Sequence, residues 1–311
     1  MNAHHTDHPT PAHAHHHAHH HGGGDGDYDL DWEAMADRLE REAELQSDLL
    51  QDAAAWLSGL LLEGGCGGPA VTRVLDVGSG PGVSTAHLAR AFPHAEAVAV
   101  DGAAGLLERA RTRAGREGLA DRVTTRRADL PGDLADLGTA DLIWTSHVVH
   151  HLGDQQSALA QLAGAVRPGG LLAVREGGLP QRFLPRDFGI GRPGFQARLD
   201  AAVEEWFAQM RSDLPDSART VEDWPAMLAA AGLTPTGSRT FLTELRAPLG
   251  EPARDHLYDL LARAREAFAG LLADDDVGTL DALLDDGSPE GIRRRPDAFW
   301  VTASTVHTAR A

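Results

Sequence analysis

Short apolar runs alternate with segments of helical periodicity between about residue 71 and residue 174. The apolar runs have the length of buried strands, and the segments between them repeat apolar residues at the spacing of an amphipathic helix. This alternation predicts a parallel sheet with helices on both faces, and therefore an α/β fold. The predicted strands are 71–77, 95–100, 123–128, 141–144 and 171–174, and the predicted helices are 84–92, 105–116 and 155–166.

The segments on either side of this region follow other patterns. Residues 31–62 carry apolar side chains at roughly helical spacing, which predicts one or two helices before the first strand. After residue 176 the alternation stops, and the patterns predict helices at 195–210, 222–231 and 252–284 and strands at 237–245 and 298–308. We expect a helical extension over residues 28–68 and a sheet domain over residues 69–311, with helical insertions at about 179–221 and 250–295 that form a cap.

The first 27 residues differ in composition from the rest of the chain. Ten of the 17 histidines lie between His4 and His21, mixed with alanine and proline. Because the tail has too few large apolar side chains to form a core, we expect it to be disordered. Because imidazoles in series bind divalent metals, the tail is expected to have incidental metal affinity. We expect no metal site in the folded part.

Composition and charge exclude several functions. The chain of 311 residues has 28 basic and 46 acidic side chains, a net charge of −18, and all its basic residues are arginine. The absence of lysine excludes Schiff-base chemistry and a P-loop, and the acidic charge argues against a nucleic-acid partner. A single cysteine, Cys66, excludes a disulfide within the chain. No apolar run reaches the roughly 20 residues of a membrane span, and no signal peptide is recognisable, so we expect a cytoplasmic protein without a membrane partner.

A glycine-rich turn separates the first predicted strand from the first predicted helix after it. It reads Asp76-Val-Gly78-Ser-Gly80-Pro-Gly82. Glycines let the main chain approach a ligand closely, and the amides of a helix N-terminus can face that ligand. The third glycine comes two residues after the second, unlike the dinucleotide motif, and Asp76 would repel a pyrophosphate. The turn therefore favours a cationic ligand over a nicotinamide dinucleotide.

Two further acids follow the next predicted strands. Asp101 ends the second strand, where a carboxylate can accept hydrogen bonds from both hydroxyls of a ribose. Asp129 follows the third strand, where it can accept from an adenine amine. Together with Asp76, these acids indicate a nucleoside with a cationic tail and no phosphate.

With these motifs, the region from about Val71 to Val174 resembles the class I S-adenosylmethionine-dependent methyltransferases. The resemblance implies a Rossmann-like fold with a seven-stranded, mostly parallel sheet whose last strand is antiparallel. It implies S-adenosylmethionine as cofactor and S-adenosylhomocysteine as product. The cofactor-binding residues that it implies are Asp76, Gly78, Ser79, Gly80, Gly82, Asp101, Gly102, Asp129, Leu130 and Ser146.

The segment after the fourth strand indicates which kind of molecule accepts the methyl group. It lacks the Asn/Asp-Pro-Pro-Tyr/Phe motif of adenine and glutamine methyltransferases, and the chain has no Pro-Cys nucleophile for cytosine, which favours a small-molecule acceptor. When residues 141–154 are laid over natural-product O-methyltransferases, their general-base histidine falls on His150. A neutral imidazole there can take a hydroxyl proton, and His147 is a second candidate. Because a His-His-Leu sequence also occurs as packing at this place, a structural role for His150 stays open.

The sequence therefore predicts a methyltransferase that moves a methyl group to an oxygen or nitrogen atom of a small metabolite beneath a helical cap. The alternative is an S-adenosylmethionine-binding protein without catalysis, whose cap serves regulation or a partner. Glu176, just past the fifth strand, is a further candidate to face the pocket. Arg182, Arg186 and Arg192 are candidates to bind an acceptor carboxylate in bidentate fashion.

Overall fold

The computed structural model describes residues 31–63 and 71–311. The histidine-rich tail and Cys66 lie outside these residues. Two helices precede the first strand, α1 (Ala36–Leu45) and α2 (Ser47–Glu63), where the sequence predicts one or two. In the described ranges no helix is long and apolar enough to cross a membrane.

The described part of the chain forms seven strands and seven further α-helices. The strands are β1 (Arg73–Val77), β2 (Glu96–Asp101), β3 (Val123–Arg127), β4 (Ala140–Ser146), β5 (Val166–Arg182), β6 (Thr234–Leu245) and β7 (Trp300–Arg310). The helices are α3 (Val83–Ala91), α4 (Ala104–Arg116), α5 (Gln155–Gly164), α6 (Phe195–Asp213), α7 (Trp224–Ala230), α8 (Glu251–Ala267) and α9 (Asp274–Leu284).

The seven strands form one sheet in the order β3-β2-β1-β4-β5-β7-β6. Strands β1 to β5 are parallel, and β7 runs antiparallel to both β5 and β6. This order confirms the predicted α/β fold with an antiparallel last strand. The chain reverses its direction of travel across the sheet between β1 and β4, and in such sheets the crevice at the carboxyl ends of these strands holds the ligand.

The side chains of the central strands point alternately to the two faces of the sheet, and each face has its own hydrophobic core. On one face, Leu75 of β1 and Ile143 of β4 pack with α5 and α7. On the other face, Val74 of β1 and Leu142 of β4 pack with α2 and α3. Because both faces are covered, the strands are apolar throughout rather than alternating, as expected for parallel strands. The N-terminal α2 is thus part of the core of the sheet domain.

The segments after β5 build a third core above one end of the sheet. Helices α6, α8 and α9 share it with the residues that follow β5 and with the start of β7. Its fully buried side chains include Leu257, Leu261, Leu280 and Trp300. We use the name cap for these three helices, because they lie in the segments where the sequence predicts one. They are anchored to the sheet through Trp300.

Candidate active site

The glycine turn lies at the carboxyl end of β1 and is bonded to β2. The amides of Gly78 and Ser79 both donate to the carbonyl oxygen of Val100, at 2.8 and 2.9 Å. The backbone of Gly78 has a φ of +74°, and a Cβ there would lie 2.2 Å from Cγ2 of Val148. Only glycine fits this place, because both the conformation and the close contact exclude a side chain.

Gly80 marks the open side of the same turn. Its φ is +55°, and no atom of the described residues lies within 4 Å of the place that a Cβ would take. Its amide donates to Oδ2 of Asp101 at 2.9 Å, so the turn and the end of β2 are joined. Gly82 has a different reason to be glycine, since a Cβ there would lie 2.6 Å from Cβ of Ala110 in α4. The main chain of the turn is therefore uncovered at Gly80, whereas Gly78 and Gly82 pack closely against neighbouring residues.

Asp76, at the end of β1, is buried next to the turn. It is 1% exposed, and its Oδ2 accepts a hydrogen bond of 2.6 Å from Oγ1 of Thr85 in α3. Burial raises the pKa of Asp76 to about 7, and the charge of Asp101 contributes in the same direction. A nearby cation would lower this pKa and favour the charged carboxylate.

The acids that follow β2 and β3 lie near each other. Asp101 accepts hydrogen bonds from the amides of Gly80 and Ala103, while burial raises its pKa. Asp129 is exposed, and its Oδ1 lies 3.1 Å from the place of a Cβ on Gly102. The structure thus brings the turn, Asp101, Gly102 and Asp129 together at one edge of the sheet. The partly buried Leu130 packs against the core beside them.

Glu176 organises the segment that follows β4. It is 2% exposed, and its Oε1 accepts hydrogen bonds from the amides of Val148 and Val149 at 3.1 and 3.0 Å. Its Oε2 lies 2.7 Å from Nδ1 of His150 and 3.9 Å from Nδ1 of His147. A single buried carboxylate therefore holds both the backbone of this segment and the His150 ring. Sequence analysis singled out these three residues separately, without linking them.

The two other histidines of this segment have pKa values below the usual range. The His147 side chain is 47% exposed at a backbone φ of +55°. Desolvation of the covered part of its ring and the charge of Arg175 lower its pKa. Burial and the neighbouring His150 lower the pKa of His151 to about 4. The ring of Trp32 packs edge-on against His151 at 5.2 Å, so the N-terminal segment contacts this part of the site.

His147, His150 and Glu176 also form a group with metal-ligand chemistry, the one such group among residues 31–63 and 71–311. Their ligand atoms all lie within 4.8 Å of one another. Ligands at about 2.1 Å from a metal lie about 3 Å or more apart. The 2.7 Å contact between His150 and Glu176 is shorter, so the arrangement is that of a hydrogen-bonded pair.

Arg175 is a part of the site that sequence analysis missed. It is 4% exposed, and its Nη2 donates to Oγ of Ser304 at 2.9 Å and to Oε1 of Gln46. Its Nη1 donates to Oγ of Ser146 at 3.3 Å. Burial lowers the pKa of Arg175 to about 10. The signal in the sequence was the pair Arg175-Glu176 directly after an apolar strand, of which only the acid attracted attention.

The three arginines of the next loop have other environments. Arg182 forms an ion pair with Asp200 of α6 at 2.7 Å, and Arg192 forms one with Asp276 of α9 at 3.0 Å. Arg186 forms no ion pair with any described residue and lines an open cavity of about 310 Å³ between the loop and α6. Two of the three candidate carboxylate-binding arginines therefore already pair with acids of the cap.

Comparison with known proteins gives the family. A family profile described as "Methyltransferase domain" matches residues 74–170. A trans-aconitate 2-methyltransferase of Methylobacterium radiotolerans is 39% identical over 211 residues, which are 61% of this chain and 76% of that protein. A trans-aconitate 2-methyltransferase of Paracidovorax citrulli is 29% identical over 219 residues, or 66% of this chain and 82% of that protein. An uncharacterized protein of Synechococcus is 45% identical over 103 residues, and the match spans only 24% of its length.

The matched region begins in β1, contains the glycine turn, Asp101, Asp129 and the histidine segment, and ends before the buried part of β5. The strand order and the antiparallel β7 agree with the fold that the resemblance implied. The chain belongs to the class I S-adenosylmethionine-dependent methyltransferases.

Proposed function

We propose that this enzyme transfers the methyl group of S-adenosylmethionine to an oxygen or nitrogen atom of a small organic acceptor, with His150 as general base. The observation that carries the proposal is the 2.7 Å contact between His150 and the buried Glu176, at the strand ends beside the glycine turn. The relatives named trans-aconitate 2-methyltransferase support a small acceptor.

The residues at the ends of β1 to β4 fit the cofactor. The free main chain at Gly80 offers room for close approach, Asp101 has the chemistry to hold ribose hydroxyls, and Asp129 beside Gly102 has the chemistry to accept from an adenine amine. We assign cofactor contacts to Asp76, Gly78, Ser79, Gly80, Gly82, Asp101, Gly102, Asp129, Leu130 and Ser146. When bound, the cofactor supplies a methyl group already activated by its sulfonium.

His150 is suited to take a proton. Since Glu176 accepts at Nδ1, the lone pair of the imidazole is left at Nε2, which forms no hydrogen bond with the described residues. The carboxylate fixes this tautomer and stabilises the imidazolium that forms as the acceptor loses its proton. Glu176 is therefore a positioning residue, and His150 is the group that would touch the acceptor.

The cap and the N-terminal segment close around this histidine. The Phe207 ring of α6 packs 5.4 Å from the His150 ring, and Arg211 of α6 donates to the carbonyl oxygen of His150 at 2.8 Å. On the other side, Trp32 packs against His151. These contacts limit the access of water, which favours methyl transfer to the acceptor over loss of the methyl group to solvent.

The first experiment is calorimetric titration of S-adenosylhomocysteine into the wild-type protein and into Asp101→Ala. We expect micromolar binding that the variant weakens by at least about tenfold. Absence of binding to the wild type would refute the assigned cofactor site. Equal binding to both proteins would remove Asp101 from it.

The second experiment tests the base, once a panel of small acceptors has given a product by mass. His150→Asn and Glu176→Gln are expected to lower kcat by about 10²-fold or more. His94→Asn, at an exposed loop histidine, is the matched control. Full activity of His150→Asn would mean that His150 has only a structural role and that alignment alone supports transfer.

A further inference from the structure

Arg175 differs from the other buried arginines of the described chain in forming no ion pair, although the charges of Glu42 and Glu176 act on it from a greater distance. Arg113 is 5% exposed and pairs with Glu40 at 2.5 Å, and Arg295 is 8% exposed and pairs with Asp297 at 2.7 Å. Arg175 is 4% exposed, yet its partners are the neutral oxygens of an amide and two hydroxyls. No described carboxylate lies within ion-pair distance of it, although the chain has a net charge of −18.

The hydrogen-bonding capacity of Arg175 is also incompletely used. A guanidinium has five N–H donors, and the described residues accept only three hydrogen bonds from this one. Its Nε is buried and has no partner. Burial of an arginine is costly unless an acid is bonded to it, so the lack of a directly paired carboxylate is a property to be explained.

Arg175 lies on the histidine side of the site. It stands within β5, where the pairing with β4 ends, between Ser146 of β4 and Ser304 of β7, and it precedes the residue that holds His150. The glycine turn and Asp101 lie on β1 and β2, on the other side of β4. Because Ser146 is also assigned to the cofactor, an acceptor and the amino acid part of the cofactor are both within the range of this position, and a titration has to separate them.

We propose that Arg175 binds a carboxylate of the acceptor, and that this carboxylate is not the group that becomes methylated. The planar guanidinium matches a carboxylate in shape and charge. A carboxylate paired with arginine is a poor nucleophile, and a reacting carboxylate, already ionised, has no need of a base at His150. The acceptor class is therefore a small molecule that carries a carboxylate and, separately, a hydroxyl or amine as the methylated group. This inference rests on the proposed function.

The test uses the full chain with the variants Arg175→Gln and Arg175→Lys, and Arg167→Gln as matched control. Arg167 lies near the other end of the same strand and is paired with Asp141 at 2.9 Å. Each protein, saturated with S-adenosylhomocysteine, is titrated calorimetrically with succinate, malate and citrate, and with succinamide as the uncharged comparator. We expect the wild type to bind at least one carboxylate and not succinamide, Arg175→Gln to lose that affinity by about tenfold or more, and Arg175→Lys to keep part of it. Arg167→Gln should behave as the wild type.

A second titration separates the acceptor from the cofactor as the source of the carboxylate. S-adenosylhomocysteine carries an amino acid carboxylate, whereas 5′-methylthioadenosine has none. Arg175→Gln is expected to bind both as the wild type does, which also shows that it is folded. Selective weakening of S-adenosylhomocysteine would assign Arg175 to the cofactor and overturn the proposal.

Carboxylate affinities that are absent in the wild type, or equal in wild type and Arg175→Gln, would also overturn it. Failure of the wild type to bind S-adenosylhomocysteine would instead refute the proposed function. In that case the carboxylate titrations without nucleoside still decide the role of Arg175.

Discussion

Replacement of the buried Asp76 by asparagine is expected to change how the stability of the ligand-free protein depends on pH. Asp76 is 1% exposed, and its neutral form is favoured because burial raises its pKa from 3.8 to about 7. Between pH 3.8 and about pH 7, Asp76 keeps its proton in the native state but has lost it in the unfolded state. The contribution of Asp76 to the free energy of unfolding must therefore fall as the pH rises from about 4 to about 7.

The size of this effect follows from the shift. About three pKa units at 1.36 kcal/mol each give an upper limit of about 4 kcal/mol over the whole range. Asparagine keeps an acceptor for the hydroxyl of Thr85 and does not titrate. Its amide protons lack a clear partner, which costs about 1–3 kcal/mol at every pH. The difference in stability between Asp76→Asn and wild type should thus rise by up to about 4 kcal/mol from pH 4 to pH 8, whatever its sign at pH 4.

Urea denaturation of both proteins between pH 4.5 and pH 8, without ligand, measures this difference. Asp121→Asn is the control, since Asp121 is exposed and forms no hydrogen bond or ion pair with the described residues. Its difference from wild type should stay constant across the range. A difference for Asp76→Asn that varies by less than about 1 kcal/mol, or that falls with rising pH, would refute the reasoning.

Three further predictions concern the turn, the N-terminal helix and the histidine segment. Gly78→Ala places a Cβ 2.2 Å from Cγ2 of Val148 and should weaken S-adenosylhomocysteine by at least about tenfold in calorimetry; unchanged affinity would contradict the packing. Arg113→Ala removes the cation of α4 that pairs with Glu40 and Glu44 of α1, and it should lower the free energy of unfolding by about 3 kcal/mol. A loss below about 1 kcal/mol would show that other contacts hold α1 in place. The lowered pKa of His151, about 4, means that the unfolded state binds a proton first, so stability is lost as the pH falls from 6.5 to 4, by up to about 3 kcal/mol. His151→Asn should remove that part of the acid sensitivity in urea denaturation, and an unchanged profile would contradict it.

The fold could be predicted because it depends on local patterns. Apolar runs of strand length, separated by helical periodicity, gave every strand of the parallel part, with ends that differ by a few residues. The main departure is β5, which continues to Arg182, whereas the predicted strand ends at residue 174 and the alternation was expected to stop after residue 176. A Cβ on Gly178 would lie 1.9 Å from the carbonyl oxygen of Ala303 in β7. The glycine there permits close approach of two strands, a tertiary reason that no local pattern reveals.

The site likewise contains residues that could be predicted and residues that could not. The glycine turn and Asp101 directly follow their strands in the sequence, so their spacing along the chain was enough to identify them. Arg175 depends on Gln46, 129 residues earlier, and on Ser304, 129 residues later, and neither could be anticipated from its neighbours. Arg182 looked like a free cation in the sequence because its partner in α6 is supplied by the fold.

Burial disfavours the charged form of the ionisable groups in both halves of the site. On the β1 and β2 side the pKa values of Asp76 and Asp101 are raised, and on the β4 and β5 side those of His147 and Arg175 are lowered, although Arg175 stays charged at neutral pH. A cationic cofactor and an anionic acceptor would each reverse the shift on its own side. Because Asp76, with a pKa of about 7, holds about half a proton at pH 7, binding of S-adenosylmethionine should then release up to about half a proton from it. Calorimetry in buffers of different ionisation enthalpy measures this release, and we expect it to be smaller for S-adenosylhomocysteine, which has no sulfonium, and to vanish in Asp76→Asn. Equal proton release by both nucleosides would show that the sulfonium does not act on Asp76.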